Sequence, residues 1–297
     1  LTKQILQWIP NSKFRFLSSL VNTFRLIWGN KKARVGLLIV VFYILMGTVG
    51  PLVTPPPRTN PSTVLQPPSL RFPLGTDQVG ESMLSLIVYG TPFVLEISFL
   101  TALFSTVIAL VIGLIAGYSG GLADSILMGS TDVIITIPSF ILILILASYV
   151  RSSNPIVLSG ILSVTSWGYL ARATRSQVLA IRNSPYLERA KLFGLRWYSI
   201  VFMELLPALM PYIVIHFIFN IQGATLASVG LYFLGVLPYN GANWGVILNN
   251  AEAIGATFSL RYAYMIVIPS VLIVAFVAAL FLLTYGMDEV FNPRLRR

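Results

Sequence analysis

Tyr262-Ala-Tyr-Met-Ile-Val-Ile-Pro-Ser-Val-Leu-Ile-Val-Ala-Phe-Val-Ala-Ala-Leu-Phe-Leu-Leu-Thr-Tyr-Gly286 contains no Asp, Glu, Lys or Arg. A helix over it is about 37 Å long at about 1.5 Å per residue, more than the roughly 30 Å of a bilayer's hydrocarbon core. One such stretch makes a membrane anchor; five more make a polytopic protein. They run over Val35–Val53, Pro92–Tyr118, Val133–Val150, Pro155–Leu170 and Ala208–Leu237. The Pro155–Leu170 stretch is the shortest and most polar. Pro138 and Pro211 fall inside their spans and are tolerable where neighbouring helices or water satisfy the freed carbonyls. The expected fold is therefore an all-α membrane protein of six transmembrane helices.

Composition agrees. Apolar residues make up 56% of the 297 and charged residues 10%, against about 45–50% and about 25% in soluble chains. The first apolar run begins behind 34 basic-rich residues and reads as a retained anchor rather than a cleaved signal. There is no cysteine, and one histidine, His216, argues against a zinc centre.

The net charge of +10 is explained by where the cations stand. On alternate sides of the six spans, one side holds Lys3, Lys13, Arg15, Arg25, Lys31, Lys32, Arg34, Arg172, Arg175, Arg182, Arg189, Lys191, Arg196, Arg294, Arg296 and Arg297; the other holds Arg58, Arg71, Arg151 and Arg261. Basic loops stay in the cytoplasm, so both termini are expected inside a plasma membrane. The charge is a topology signal, and no nucleic-acid partner is called for. The chain divides into a basic segment 1–34, a first span 35–53, an extracellular loop 54–91, a five-helix core 92–290 with a cytoplasmic loop 171–207, and a cytoplasmic tail 291–297. Within the first segment, Lys13–Trp28 spaces its apolar residues as a helix lying on the lipid surface. The proline-rich start of the loop, Thr54 to Pro68, reads as extended chain.

The loop between spans four and five contains Asn183-Ser-Pro-Tyr-Leu-Glu-Arg-Ala-Lys-Leu-Phe-Gly194. Ser184 suits a cap, Pro185 the first helical position and Gly194 the stop, marking a helix of about nine residues. Isolated helices need about 12–15 residues in water, so this one must pack against something. Tyr186, Leu187, Ala190 and Phe193 share a face, with Glu188, Arg189 and Lys191 on others. This reads as a docking element for a cytoplasmic partner.

Glu188-Arg-Ala190, Gly194 and Glu204-Leu-Leu206-Pro207 resemble the E-A-A-x3-G-x9-I-x-L-P signature of ABC-importer permeases; Arg189 replaces the first Ala and Glu204 the usual Ile. Pro73-Leu-Gly-Thr-Asp77-Gln-Val-Gly80, Gly117-Tyr-Ser-Gly-Gly121 with Asp124 and Asp132, Ile137-Pro138, Tyr232-Phe-Leu-Gly235, Asn243-Trp-Gly245 and Asn292-Pro-Arg-Leu-Arg296 resemble elements of the dipeptide/oligopeptide type, in order over about residues 25–297. Glu81-Ser82 stands where that family has Arg-Asp.

The resemblance implies a type I importer permease fold. It also implies a homologous second permease as heterodimer partner, two ATPase subunits and an extracellular solute-binding protein, with membrane lipid around them. Tyr186, Leu187, Glu188, Arg189, Ala190, Lys191, Phe193, Gly194 and Pro207 would couple to the ATPase. ATP and magnesium would belong to the partner subunits, and no cofactor, metal or catalytic residue is expected in this chain. Consistently, no G-x4-G-K-[ST] loop, His-Glu metal pattern or G-x-S-x-G elbow occurs in the sequence.

Polar groups on apolar spans mark a pathway or interhelical hydrogen bonds. Candidate pathway residues are His216, Asn220, Gln222 and Gly223, of which His216, Asn220 and Gly223 can share one helix face. Glu96 reads as an interfacial carboxylate near the start of span two. Asp132 reads as favouring a helix N-terminus at the start of span three. Cargo is expected to be a peptide or an oligosaccharide, with nickel also carried in similar systems. A secondary transporter would want paired intramembrane charges and inverted repeats, and a channel a filter sequence.

Overall fold

The structure, a computed structural model, describes residues 27–238 and 243–291. The lipid-surface helix expected over Lys13–Trp28, apart from its last two residues, and the tail beyond Phe291 lie outside the described residues.

The first helix, α1 (Lys31–Thr48), starts where Asn30 Oδ1 accepts from the backbone N–H of Lys32 and Ala33. A short helix, α2 (Gly50–Val53), continues it. α1 lies along the last helix, α11 (Tyr264–Phe291). Small residues allow that approach: a β-carbon on Gly36 would stand 2.5 Å from Ala279 O, and one on Gly286 would stand 2.5 Å from the β-carbon of Ala33. Lys32 Nζ and Asn30 Nδ2 each donate to Glu289, at 2.7 and 2.6 Å, and fasten the basic end of the pair.

The next helix, α3 (Met83–Ser119), begins well ahead of Pro92, so the expected start of the second span is corrected. In hydrocarbon a helix is the form that satisfies the backbone groups around an interior proline. The preceding loop is folded rather than extended. Asn60 caps a short 3-10 turn, Pro61–Thr63, and Thr76 Oγ1 donates to Thr63 O. Gly80, at φ 82°, passes Asn60 so closely that a β-carbon would stand 1.9 Å from its carbonyl oxygen.

Two expected spans are broken. α4 (Gly121–Thr136) and α5 (Ser139–Val150) meet at 84° across Ile137-Pro138, so Pro138 is a joint and not an interior residue. α6 (Pro155–Ser166) and α7 (Gly168–Ile181) meet at 53° across Trp167. After α8 (Pro185–Leu192) comes α9 (Trp197–Phe233), whose first turns widen to a π-helix over Ile200–Leu205. Pro207 crowds the carbonyl four residues back, and the wider turn just before it relieves that. α10 (Trp244–Ala253), which the sequence reading missed, follows an Asn243 cap on Gly245 N. It seats Trp244 in the core beside Tyr43 and Phe276.

α3, α9 and α11 are each long and apolar enough to cross a membrane, and each bent pair adds one if taken as a broken span, giving three to five among the described residues. α1 carries Lys31, Lys32 and Arg34 in its first turn, which shortens its apolar part. α3 and α9 form the centre, joined by the hydrogen bond between Ser98 Oγ and Thr225 Oγ1 at 2.8 Å.

Candidate translocation path and coupling surface

Leu187 fastens α8 to the basic end of the bundle. It is 1% exposed and belongs to one buried cluster with Leu114 of α3, Val178 of α7 and Ile200, Val201, Leu205, Leu209 and Ile213 of α9, α8 itself meeting the π-helical start of α9. The expected Ser184 cap is corrected. The Ser184 carbonyl receives the N–H of Leu187 and Glu188, while its hydroxyl is buried without a partner. Gly194 adopts φ 72°, the left-handed stop its position calls for.

Phe193 does not join Leu187 in the core. Leu192 and Phe193 are 86% and 84% exposed, and with Leu195, Trp197, Phe202 and Met203 they make an apolar surface at the tip of the bundle. Glu188 and Arg189 are exposed beside it, Arg189 Nε donating back to Pro185 O. Tyr186, Ala190 and Lys191 stand in α8. Pro207 is exposed at the start of α9's regular turns. Exposed apolar surface of this kind occurs at protein–protein and membrane contact sites.

Asp132 does not begin a helix. It sits in the last turns of α4, paired with Arg172 of α7. A second pair joins the same helices: Arg175 holds Asp124 with Nε at 3.0 Å and NH2 at 2.5 Å. Arg182 NH1 donates to Gly117 O at 3.2 Å. Arg172, Arg175 and Arg182 thus tie α7 to α4 and to the end of α3. The sequence reading counted them only for orientation; the Asp spacing on a helix next to theirs was the available signal.

The expected pathway residues divide. His216, Asn220 and Gly223 line a cleft of about 630 Å³ between α9, α5 and the α6–α7 joint. Ser139, Thr165, Ser166 and Tyr169, not anticipated, supply hydroxyls from the opposite wall, beside the breaks at Pro138 and Trp167. Asn220 Nδ2 donates to Ser105 Oγ at 3.1 Å, and the His216 ring lies 4.2 Å from that of Tyr212. The cleft is amphipathic and carries no formally charged lining side chain. Gln222 faces the other way. It is buried, and its Nε2 donates to Val277 O of α11 at 2.9 Å. No group of three or more His, Asp or Glu suited to a metal occurs among the described residues.

Comparisons with known proteins agree with this architecture. The chain is 31% identical over 286 residues to the dipeptide transport system permease protein DppC of Bacillus subtilis, covering 95% of this chain and 88% of that one. It is 27% identical to DppC of Haemophilus influenzae, with 90% and 92% covered, and 26% identical to the oligopeptide transport system permease protein OppC of Bacillus subtilis, with 90% and 87% covered. Its fold resembles that of a chain of the MetNI methionine ABC transporter in an inward-facing conformation, with a TM-score of 0.54 at 19% identity over 72% of this chain and 98% of that one. Residues 21–68 match the N-terminal TM domain of oligopeptide transport permease C. Residues 109–297, which hold the cleft, the paired helices α4 and α7 and the α8 surface, match the binding-protein-dependent transport system inner membrane component, and the chain belongs to that family.

Proposed function

We propose that this chain is one of two homologous permease subunits of an ATP-driven importer of peptides, crossing the plasma membrane six times with both termini in the cytoplasm. α8 and its exposed apolar neighbours receive the ATPase, and the α9 cleft is this chain's share of the path. As a permease subunit of a binding-protein-dependent system, the chain is not itself an enzyme, and the ATPase is a separate subunit.

The observation that carries the reading is the position of Leu187. That residue roots the docking helix in a buried cluster whose other members stand on α3, α7 and α9, so force applied to α8 enters at the start of α9 and passes through that cluster to α3 and α7. The Arg172–Asp132 and Arg175–Asp124 pairs extend that body to α4, leaving the joint at Pro138 to bend. The likeness to the DppC and OppC permeases supports peptide cargo, and the cleft's hydroxyls and its Asn220 amide suit peptide bonds, whose groups want hydrogen bonds without charge. The cation partition supports the orientation.

The test is uptake of a labelled dipeptide into vesicles holding the chain with its partner permease, ATPases and binding protein. Uptake should require ATP and the binding protein, and Gly194→Arg in α8's exposed stop should uncouple hydrolysis from it. Uptake driven by an ion gradient without ATP would overturn the reading; ATP-driven uptake of an oligosaccharide instead would overturn only the cargo.

A further inference from the structure

α3 carries one charged side chain along its whole length, Glu96. Its depth follows from the neighbours. A β-carbon on Gly47 of α1 would stand 3.2 Å from Thr91 and 3.5 Å from Leu95, and one on Gly50 would stand 2.7 Å from Val88. The two helices run antiparallel, so Glu96 lies level with about Tyr43, near the middle of the apolar stretch Val35–Val53. Ser159 Oγ of α6 donates to Ile97 O at 3.1 Å, and Ser98 meets Thr225 of α9. α3 is therefore flanked at this level by α1, α6 and α9 on its other faces, and Glu96 stands well inside the apolar length of the helix, not at its end where the sequence reading placed it.

It is nonetheless exposed, and no donor among the described residues reaches it. Phe99, Leu103, Val107, Val111 and Ile115 are exposed along the same helix at spacings of three or four residues. Together they form one long apolar face with a carboxylate at its head. An acid left against lipid is costly, and intramembrane acids face a protein interior or a water-filled cavity and find a partner.

We propose that this face of α3 seats a transmembrane helix of the second permease, and that a Lys, Arg or His on that helix pairs with the Glu96 carboxylate. The partner is a different polypeptide, because α1, α3, α5, α6, α9 and α11 of this chain hold no Lys or Arg at that depth, and its one histidine, His216, lies past Asn220, which already meets Ser105 nine residues along α3 from Glu96. A translocated peptide is the poorer occupant. The face is apolar below Glu96, whereas the hydroxyls and the Asn220 amide that suit a peptide are gathered in the α9 cleft. The inference rests on the two-permease reading above, and gives it a specificity element: a single charge that sets which permease this chain accepts and in what register.

The experiment uses the assembled transporter. Glu96→Leu should reduce the second permease recovered with this chain by about tenfold, while the ATPase still associates through α8. Glu96→Gln should fall between. Because the chain has no cysteine, Leu103→Cys gives a single thiol that should form a disulfide with a cysteine scanned along one partner span, in a helical repeat. Full recovery of the second permease with Glu96→Leu, or the absence of any such disulfide, overturns the proposal. So does normal assembly of Glu96→Leu with loss of uptake confined to peptides bearing a free amino terminus, which would make Glu96 a substrate group. If the unaltered chain recovers the ATPase but no second permease, the two-permease reading falls, and this proposal with it.

Discussion

Arg175 grips Asp124 through both carboxylate oxygens, joining α7 to α4 across the basic end of the bundle. The pair is partly shielded, with the Asp124 side chain 15% exposed, whereas Arg172 and Asp132 stand half in solvent. A planar fork on a carboxylate fixes relative orientation as well as distance, which makes this contact the firmer link in the body that α8 would drive.

Arg175→Ala and Asp124→Ala should each cost up to about 1 kcal/mol of stability and lower ATP-driven uptake more than ATP hydrolysis, because force no longer reaches α4. The exchanged pair, Asp124→Arg with Arg175→Asp, should recover part of the coupling. Parallel uptake and hydrolysis measurements on the reconstituted transporter check this, and equal loss of both activities would count against a transmitting role.

Leu187→Ala leaves a cavity in the buried cluster that joins α8 to α9 and should destabilise that end by about 2–5 kcal/mol. Phe193→Ala removes an exposed ring and should leave the melting temperature unchanged while weakening ATPase binding. Thermal melting of the purified chain and ATPase co-purification separate the two effects.

Gly80→Ala must both adopt a positive φ and clear the Asn60 carbonyl, so it should destabilise the loop before α3 by about 2–4 kcal/mol. Gly129, inside α4 with nothing within 4 Å of an added β-carbon, is the control. Gly129→Ala should be neutral or stabilise by up to about 1 kcal/mol. Hydrogen exchange over residues 60–82 and thermal melting read the contrast.

Burial pushes the Asp77 carboxyl up, against the N–H groups of Glu81, Val79 and Gly80 that favour its ionised form. Glu81 is pushed up by burial and by the Asp77 charge. An acid whose folded pKa is raised binds its proton more tightly in the folded state. Its favourable contribution is present below the ordinary carboxylate range and is lost as pH rises through the raised value. Hydrogen-exchange protection of the loop should therefore be greater near pH 4 than near pH 7, and Asp77→Asn should flatten that dependence. A loop that gains protection on going from pH 4 to 7 would refute it.

His216→Ala should raise the peptide concentration needed for half-maximal uptake with little change in melting temperature, and Asn220→Ala should raise it too while also losing the hydrogen bond to Ser105. Gln222→Ala should do the reverse of His216→Ala, removing the hydrogen bond that ties α9 to the Val277 carbonyl of α11 and costing about 1 kcal/mol while leaving the concentration dependence unchanged. Concentration-dependent uptake, normalised to folded transporter, distinguishes a path residue from a packing residue.

The sequence by itself determined the membrane class, the partition of basic residues, the α8 helix with its Gly194 stop, and the family. Each depends on composition or on spacing along the chain, which short-range backbone physics and lipid solvation read directly. It placed His216, Asn220 and Gly223 on one face because three helical steps are enough for that. Only the tertiary structure decided that Pro138 and Trp167 are joints, that Gln222 turns to α11 while Asn220 two residues away turns to the cleft, and that α10 folds back to seat Trp244 beside Tyr43. It also showed Ser184's hydroxyl to be unused as a cap and Glu96 to stand exposed at about the level of Tyr43. Those outcomes depend on which helix stands opposite a residue, and at what height. Periodicity along one helix gives direction around its own axis, but depth and partner arise only when helices meet.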